Sequence, residues 1–453
     1  MRRVLADRNL EKAVVGVKIV RLGASPAQVQ TRFEHQASRP LIPASNMKLI
    51  TTSAALERLG GEFQFRTLLV QRGRDLVIVG DGDPTFGDAE LFREFNWQFD
   101  GVFPRWAQLL RERNITSGGN IIVDDSVFDQ QFIHPSWPEN QQDKRYVAQV
   151  GGLSFNGNCV EFYLRTRGFG EVVSYRTFPE TSYFRVSNSC VFGNENKIVL
   201  ARRRGTNELI LGGQASASNS KAYFVTINDP ALFAGHALAD ALRAHGVSIG
   251  GTVQRDRTIR AMLSQSHQQQ PPLNVLVIHQ TPLATVLAGA NKFSTNLYAE
   301  ALAKRLGHAV SGESGSWDNG SAAIGEYLRS LGVPSSEFTI DDASGLSKKN
   351  AISANAITTV LTRDFHGPNR ETFLHSLAVG GEDGTLGRRF QNDLRGRVFA
   401  KSGYVAGVFA LSGYVRTTNN DWYAFAILMN NTHTNAAKDL QERIVRAIDQ
   451  NAR

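Results

Sequence analysis

The chain has 453 residues, too many for one ordinary hydrophobic core, so two or three domains are expected. With 42% hydrophobic and 20% charged residues, it has the composition of a globular protein and not of a disordered chain. A net charge of +8 is mild for this length, and no apolar run approaches the roughly 18 residues that cross a bilayer, which argues against nucleic-acid-binding and membrane-spanning classes.

The first residues, Met1-Arg2-Arg3-Val4-Leu5-Ala6-Asp7, lack the apolar centre of a secretion signal; either the chain stays in the cell or a leader has been removed. Val15–Val20 alternates as a strand does. Pro43-Ala44-Ser45-Asn46-Met47-Lys48 opens a stretch with apolar residues at Met47, Ile50, Ala54 and Leu59, the spacing of an amphipathic helix, and Gly60-Gly61 supplies its stop. From about Thr67 to about Arg260 the texture is β-rich, with strands predicted at Leu76–Gly80 and Ile121–Val123 and a helical stretch at Phe233–His245. Gly80-Asp81-Gly82-Asp83-Pro84 reads as a strand-ending turn, because the spacing of a calcium loop is missing. Arg202-Arg203-Arg204 has no interleaved aromatics and reads as a solvated face. Two cysteines, Cys159 and Cys190, cannot make a zinc site by themselves; two buried thiols are the first reading and a disulfide the second.

Beyond about residue 272 the pattern is mixed. Helices are predicted over Asn296–Leu306, closed by Gly307, and over Ala322–Leu331, closed by Gly332. Strands follow at Val405–Val415 and Trp422–Asn430, separated by Thr417-Thr418-Asn419-Asn420. A last helix carries Ala437, Leu440, Ile444 and Ile448 on one face. The histidines show no metal-ligand spacing, and His375 and His433 read as surface or packing residues. The sequence has no Gly-x-Ser-x-Gly elbow, and no Gly-x-Gly-x-x-Gly follows a strand, so nothing calls for a Ser-His-Asp hydrolase, a dinucleotide or any other cofactor.

Ser45 and Lys48, three apart at a predicted helix start, share one face, so the lysine amine reaches the serine hydroxyl. A free hydroxyl is a poor nucleophile and a partly desolvated lysine can serve as its base. The spacing alone is weak: Ser218-Asn219-Ser220-Lys221 repeats it ahead of what reads as a strand, Ala222-Tyr223-Phe224-Val225. Two more triplets add to it, Ser294-Thr295-Asn296 before a helix and Lys401-Ser402-Gly403 at the head of a strand through Val408 and Leu411. In this order the three form the motif set of the active-site-serine penicillin-recognising enzymes.

The flanks are specific. Pro43–Thr52, Gly80–Thr85, Val123–Phe128, Ser294–Leu302, Asp342-Ala343-Ser344-Gly345-Leu346-Ser347 and Asp383-Gly384-Thr385-Leu386 together resemble, over nearly the whole chain, the penicillin-binding protein 4 family of D-Ala-D-Ala carboxypeptidases (class C low-molecular-mass, peptidase family S13). The resemblance implies an α/β (α+β) fold, a β-lactamase/transpeptidase-like catalytic domain with inserted β-rich domains. The catalytic parts would be 1–67 and 261–453, the inserted domain 68–156 and 221–260, and a nested small β domain 157–220. It implies that Ser45 is acylated by the penultimate D-alanine carbonyl, with Lys48 as base and Ser294 as proton relay. Asn296 would hold the substrate amide and steady Lys48, and Lys401 would attract the terminal carboxylate. Ser402, Gly403 and Tyr404 would line the substrate site, with the amides of Ser45 and Tyr404 as oxyanion hole. Implied partners are peptidoglycan stem peptides and β-lactams, and the implied location is periplasmic or extracytoplasmic. The sequence departs from the family pattern with Ser402 for the commoner threonine, Tyr404 for a small hydroxyl residue, and Gln141 where some members place a diamino-acid-binding Asp. A β-lactamase, esterase or D-aminopeptidase built on the same residues, or a wall-binding homologue impaired at Tyr404, are the alternative expectations.

Overall fold

Trp422–Asn430 carries almost no polar side chain, and such a run is stable only where both faces of a strand are covered. The computed structural model, which describes residues 12–98, 101–264, 273–432 and 434–451, shows how it is covered. His433 and the first eleven residues lie outside the described residues. The chain divides into two compact units, Met1–Phe63 with Pro282–Arg453, and Gln64–Thr281. The sequence reading had drawn this division at residues 67 and 260.

In the first unit, the labelled elements are β1 (Val14–Leu22), β2 (Gln30–His35), α1 (Met47–Leu59), α2 (Leu283–Asn291), α3 (Asn296–Ser311), α4 (Trp317–Ser330), α5 (Ala354–His366), β3 (Ala378–Val379), β4 (Val398–Val405), β5 (Val408–Arg416), β6 (Trp422–Asn430) and α6 (Thr434–Gln450). The strands form one antiparallel sheet in the order β3-β4-β5-β6-β1-β2. Alternate side chains of β6, Tyr423, Phe425, Ile427 and Met429, pack with Ala437, Leu440, Ile444 and Ile448 of α6. Helix α5 lies against β6 and β1, and Tyr414 of β5 donates to the Leu361 carbonyl at 2.7 Å. Helix α1 is buried from Met47 through Leu56, and Gly60, at φ +87°, turns the chain out of it.

Two boundaries differ from the sequence reading. Helix α3 runs through Gly307 to Ser311 and is closed by Gly312 at φ +75°; Gly307 is a packing residue instead, since a Cβ there would lie 2.0 Å from Asn319 Oδ1 and 2.7 Å from the Gly320 amide. The predicted strand Val405–Val415 is the turn and second arm of a hairpin. Gly407, at φ +81°, reverses the chain after Ala406, so Lys401 stands mid-strand in β4 and not at a strand head.

The second unit is built on a five-stranded sheet, in the order 253–255, 121–124, 75–79, 64–72, 273–282, with smaller sheets and the helices Val102–Glu112 and Pro230–Ala244. Cys159 and Cys190 are both buried and unbonded, and burial pushes the Cys159 thiol up to about 12. The arginine run is only partly a solvated face. Arg203 and Arg204 pair at the surface with Glu208 and Glu139, but Arg202 is buried and donates to the carbonyls of Thr206 and Gln142. An arginine can be buried there because backbone acceptors meet its planar fork. Among the described residues, no helix is long and apolar enough to cross a membrane.

Candidate active site

Ser45 lies in a single 3-10 turn, Ala44–Asn46, that leads directly into α1. The turn is held in an uncommon shape: Ala44 has φ +46°, costly for a residue with a Cβ. Four contacts fix it from outside. Asn46 donates from its side-chain amide to the Lys401 carbonyl at 2.7 Å and accepts from Ser412 Oγ at 2.7 Å, tying the turn to β4 and β5. Gly345 passes so close that a Cβ there would sit 1.8 Å from the Ala44 carbonyl. Gly403 approaches from β4, where a Cβ would lie 2.9 Å from the Pro43 carbonyl and 3.1 Å from the Ser45 amide.

One turn further on, Lys48 is completely buried. Its Nζ lies 3.2 Å from Ser45 Oγ and donates to Asn296 Oδ1 and to the Ser344 carbonyl, each at 2.7 Å. Burial lowers its proton affinity to about 8, against the pull of Glu300 and Asp342, which favour the charged form. A lysine in this state is a competent base near neutral pH.

Lys401 is also fully buried and donates to the carbonyl of its neighbour Ser402 at 2.8 Å. Burial, then the charge on Lys48, drives its proton affinity well below the ordinary lysine value. Ser402 turns to Thr385, Oγ to Oγ1 at 2.9 Å, and Tyr404 is 61% exposed with its ring beside Phe409. Ser294, half-buried in the link between α2 and α3, has φ +63°, a second strained non-glycine position, and makes no side-chain hydrogen bond among the described residues.

The structure thus joins Ser45, Lys48 and Asn296 directly and brings Lys401 and Gly403 to the same turn through backbone contacts. Ser294 stands two residues before Asn296 in the link that begins α3. Ser402 and Tyr404 flank Gly403 on β4. The decoy lysine, Lys221, is exposed in the second unit. Sequence reasoning missed Asn46, Glu300 and the carbonyl of Ser344. All three lie inside family-like blocks, 43–52, 294–302 and 342–347, and the last also holds the Asp342 side chain that accepts from the amides of Gly345 and Ser347 and so shapes the turn carrying Ser344.

A serine at a strained helix entry, a buried low-affinity lysine beside it, and a second buried lysine on the neighbouring strand are the arrangement that a lysine-primed serine hydrolase would require. The model of the D-Ala-D-Ala carboxypeptidase 3 (S13) family matches residues 1–451. The D-alanyl-D-alanine carboxypeptidase of Actinomadura sp. (strain R39) is 31% identical over 96% of this chain and 80% of its own length. Two crystal structures of penicillin binding protein 4 (dacB) from Haemophilus influenzae share the fold at 20% identity. One superposes with a TM-score of 0.78 over 99% of each chain. The other, complexed with a novel β-lactam, gives 0.72 over 99% of this chain and 98% of that one. The peptidoglycan endopeptidase Bd3459 of Bdellovibrio bacteriovorus shares the fold more distantly, at 17% identity and a TM-score of 0.54 over 96% of this chain and 92% of its own. The chain belongs to the D-Ala-D-Ala carboxypeptidase 3 (S13) family.

Proposed function

We propose that this serine carboxypeptidase removes the terminal D-alanine of peptidoglycan stem peptides through an acyl-enzyme on Ser45, outside the cytoplasm, and that β-lactams acylate the same hydroxyl. The observation that carries this reading is the three-way contact of Lys48. A neutral amine has two N–H donors and one lone pair. If the donors go to Asn296 Oδ1 and the Ser344 carbonyl, the lone pair is left facing Ser45 Oγ at 3.2 Å.

In the proposed reaction Lys48 takes the Ser45 proton as Oγ attacks the carbonyl of the penultimate D-alanine. The developing oxyanion is met by backbone N–H groups, with the Ser45 amide beside Gly403 and the Tyr404 amide as candidates. Ser294 relays the proton to the leaving amine of the terminal D-alanine, and Lys401 draws the substrate carboxylate. Water then repeats the attack on the ester and frees Ser45. An amide within a cross-link presents the same D-alanyl carbonyl, so DD-endopeptidase action on this site is a second activity of the same chemistry.

Fluorescent penicillin should label the wild-type protein stoichiometrically and leave Ser45→Ala blank, with the mass adduct on the peptide containing residue 45. Equal labelling of Ser45→Ala would overturn the nucleophile assignment.

A further inference from the structure

Glu300 lies one helical turn after Asn296 on α3 and is completely buried. Its carboxylate accepts three N–H groups: the Ser344 amide at 2.8 Å, the Ala343 amide at 3.2 Å and Trp317 Nε1 at 2.8 Å. Ser344 in turn presents its carbonyl to Lys48 Nζ at 2.7 Å. One face of α3 therefore supplies two of the three contacts on the lysine, Asn296 directly and the Ser344 carbonyl by way of Glu300. The nucleophile's own helix plays no part in either.

We propose that Glu300 is a positioning residue for the reaction: it clamps the Ala343–Ser344 peptide so that the Ser344 carbonyl and Asn296 aim the Lys48 amine at Ser45, and its negative charge decides when that amine can accept the serine proton. The inference rests on the reading of Ser45 and Lys48 given above and deepens it.

The charges that bear on Lys48 come from three elements. Glu300 of α3 and Asp342, in the loop between α4 and α5, favour the ammonium, while Lys401 of β4 stands opposed to it. Beyond Glu300, the buried Lys304 lies over the Trp317 ring at 3.7 Å. Burial and Asp342 push the Glu300 carboxyl up to about 7, and the three N–H donors hold it back from rising further. The Glu300 carboxyl, at about 7, and the Lys48 amine, at about 8, therefore change charge over neighbouring pH ranges, and the carboxylate favours the ammonium.

The test is the pH dependence of the second-order rate of acylation by a chromogenic β-lactam, measured on the full chain. In the wild type the rate rises as Lys48 loses its proton. Glu300→Gln removes the charge that favours the ammonium, so Lys48 becomes a weaker base and the acid limb moves to lower pH by about one unit, with a lower plateau. Glu300→Asp keeps the charge but shortens the reach; its limb stays within about 0.3 unit of wild type while the plateau falls at least about tenfold. A Glu300→Gln protein that merely loses rate at every pH, with the limb unmoved, overturns the electrostatic part. Glu300→Asp acylating at the wild-type rate overturns the clamp, and this variant decides the matter if the glutamine protein does not fold. A wild type that no β-lactam acylates at Ser45 would instead refute the underlying reading, a distinct result.

Discussion

Gly345 shows how closely single atoms govern this site. At φ +80° it occupies backbone space that an L side chain rarely enters, and its missing Cβ leaves room for the Ala44 carbonyl beside Ser45. Gly345→Ala adds an overpacking cost and a left-handed backbone cost, each about 1–3 kcal/mol. It should lower the melting temperature and, by pushing the Ser45 turn and the Ser344 carbonyl apart, cut β-lactam acylation at least about tenfold. An alanine variant that acylates normally would mean that the turn has slack the structure does not show. At this scale the sequence was most legible where chemistry is local: Ser45, in the 3-10 turn, and Lys48, in the first turn of α1, are three residues apart, and that spacing is visible in the bare string. Asn46, Glu300 and Ser344 stand in family-like blocks, but their roles were not legible, because each acts through a partner dozens to hundreds of residues away. Nothing in a single sequence marks a backbone carbonyl as a lysine's acceptor.

Glycines misled at the level of elements. Gly307 looked like a helix stop, yet the periodic stretch before it continues to Ser311, and the real terminator is Gly312. What distinguishes them is the environment: Gly307 is buried where α3 meets the start of α4, and Gly312 has nothing within reach of a Cβ. Gly307→Ala should therefore behave opposite to its helix propensity. The substitution ordinarily stabilises a helix interior by about 1 kcal/mol, but here the added methyl meets the Gly320 backbone, and a net loss of about 1–3 kcal/mol is expected. Thermal or urea unfolding of the variant decides it; a more stable protein would show that α4 can step aside. Strand β6 was read to the residue because its apolar run is unbroken. Lys401 was misplaced within its strand because Ala406-Gly407 is a two-residue turn with no strong signal beyond one glycine.

Across the whole molecule, buried carboxyl groups give stability a direction with pH. Asp364 of α5 is buried, accepts from Ser53 Oγ of α1 at 2.9 Å, and among the described residues has no hydrogen-bond partner for Oδ2; Ser53 in turn meets the hydroxyl of Tyr327 on α4 at 2.6 Å. Burial raises its proton affinity well above the usual carboxylate value. A group raised in this way keeps its proton in the folded state over a range where the unfolded chain, with a value near 3.9, has released it. Its stabilising effect is complete below that unfolded value and is lost as pH climbs through the folded one. Asp364→Asn should flatten the fall in melting temperature between pH 4 and neutrality; an unchanged slope would assign that fall to other carboxyls. Length and the long gap between Lys48 and Ser294 led to the expectation of inserted domains, whereas the seam between the two compact units depends on contacts no local pattern encodes. That seam has a further consequence. The Leu283 amide donates to the Phe63 carbonyl at 2.9 Å, so the chain departs from the unit that holds Ser45 and rejoins it at neighbouring points. Because loop closure grows only slowly with length, an excursion of any size between those points weighs little on that unit. The same geometry offers protein engineers a splice: a few residues bridging positions 63 and 283 would write the unit that holds Ser45 as one uninterrupted polypeptide.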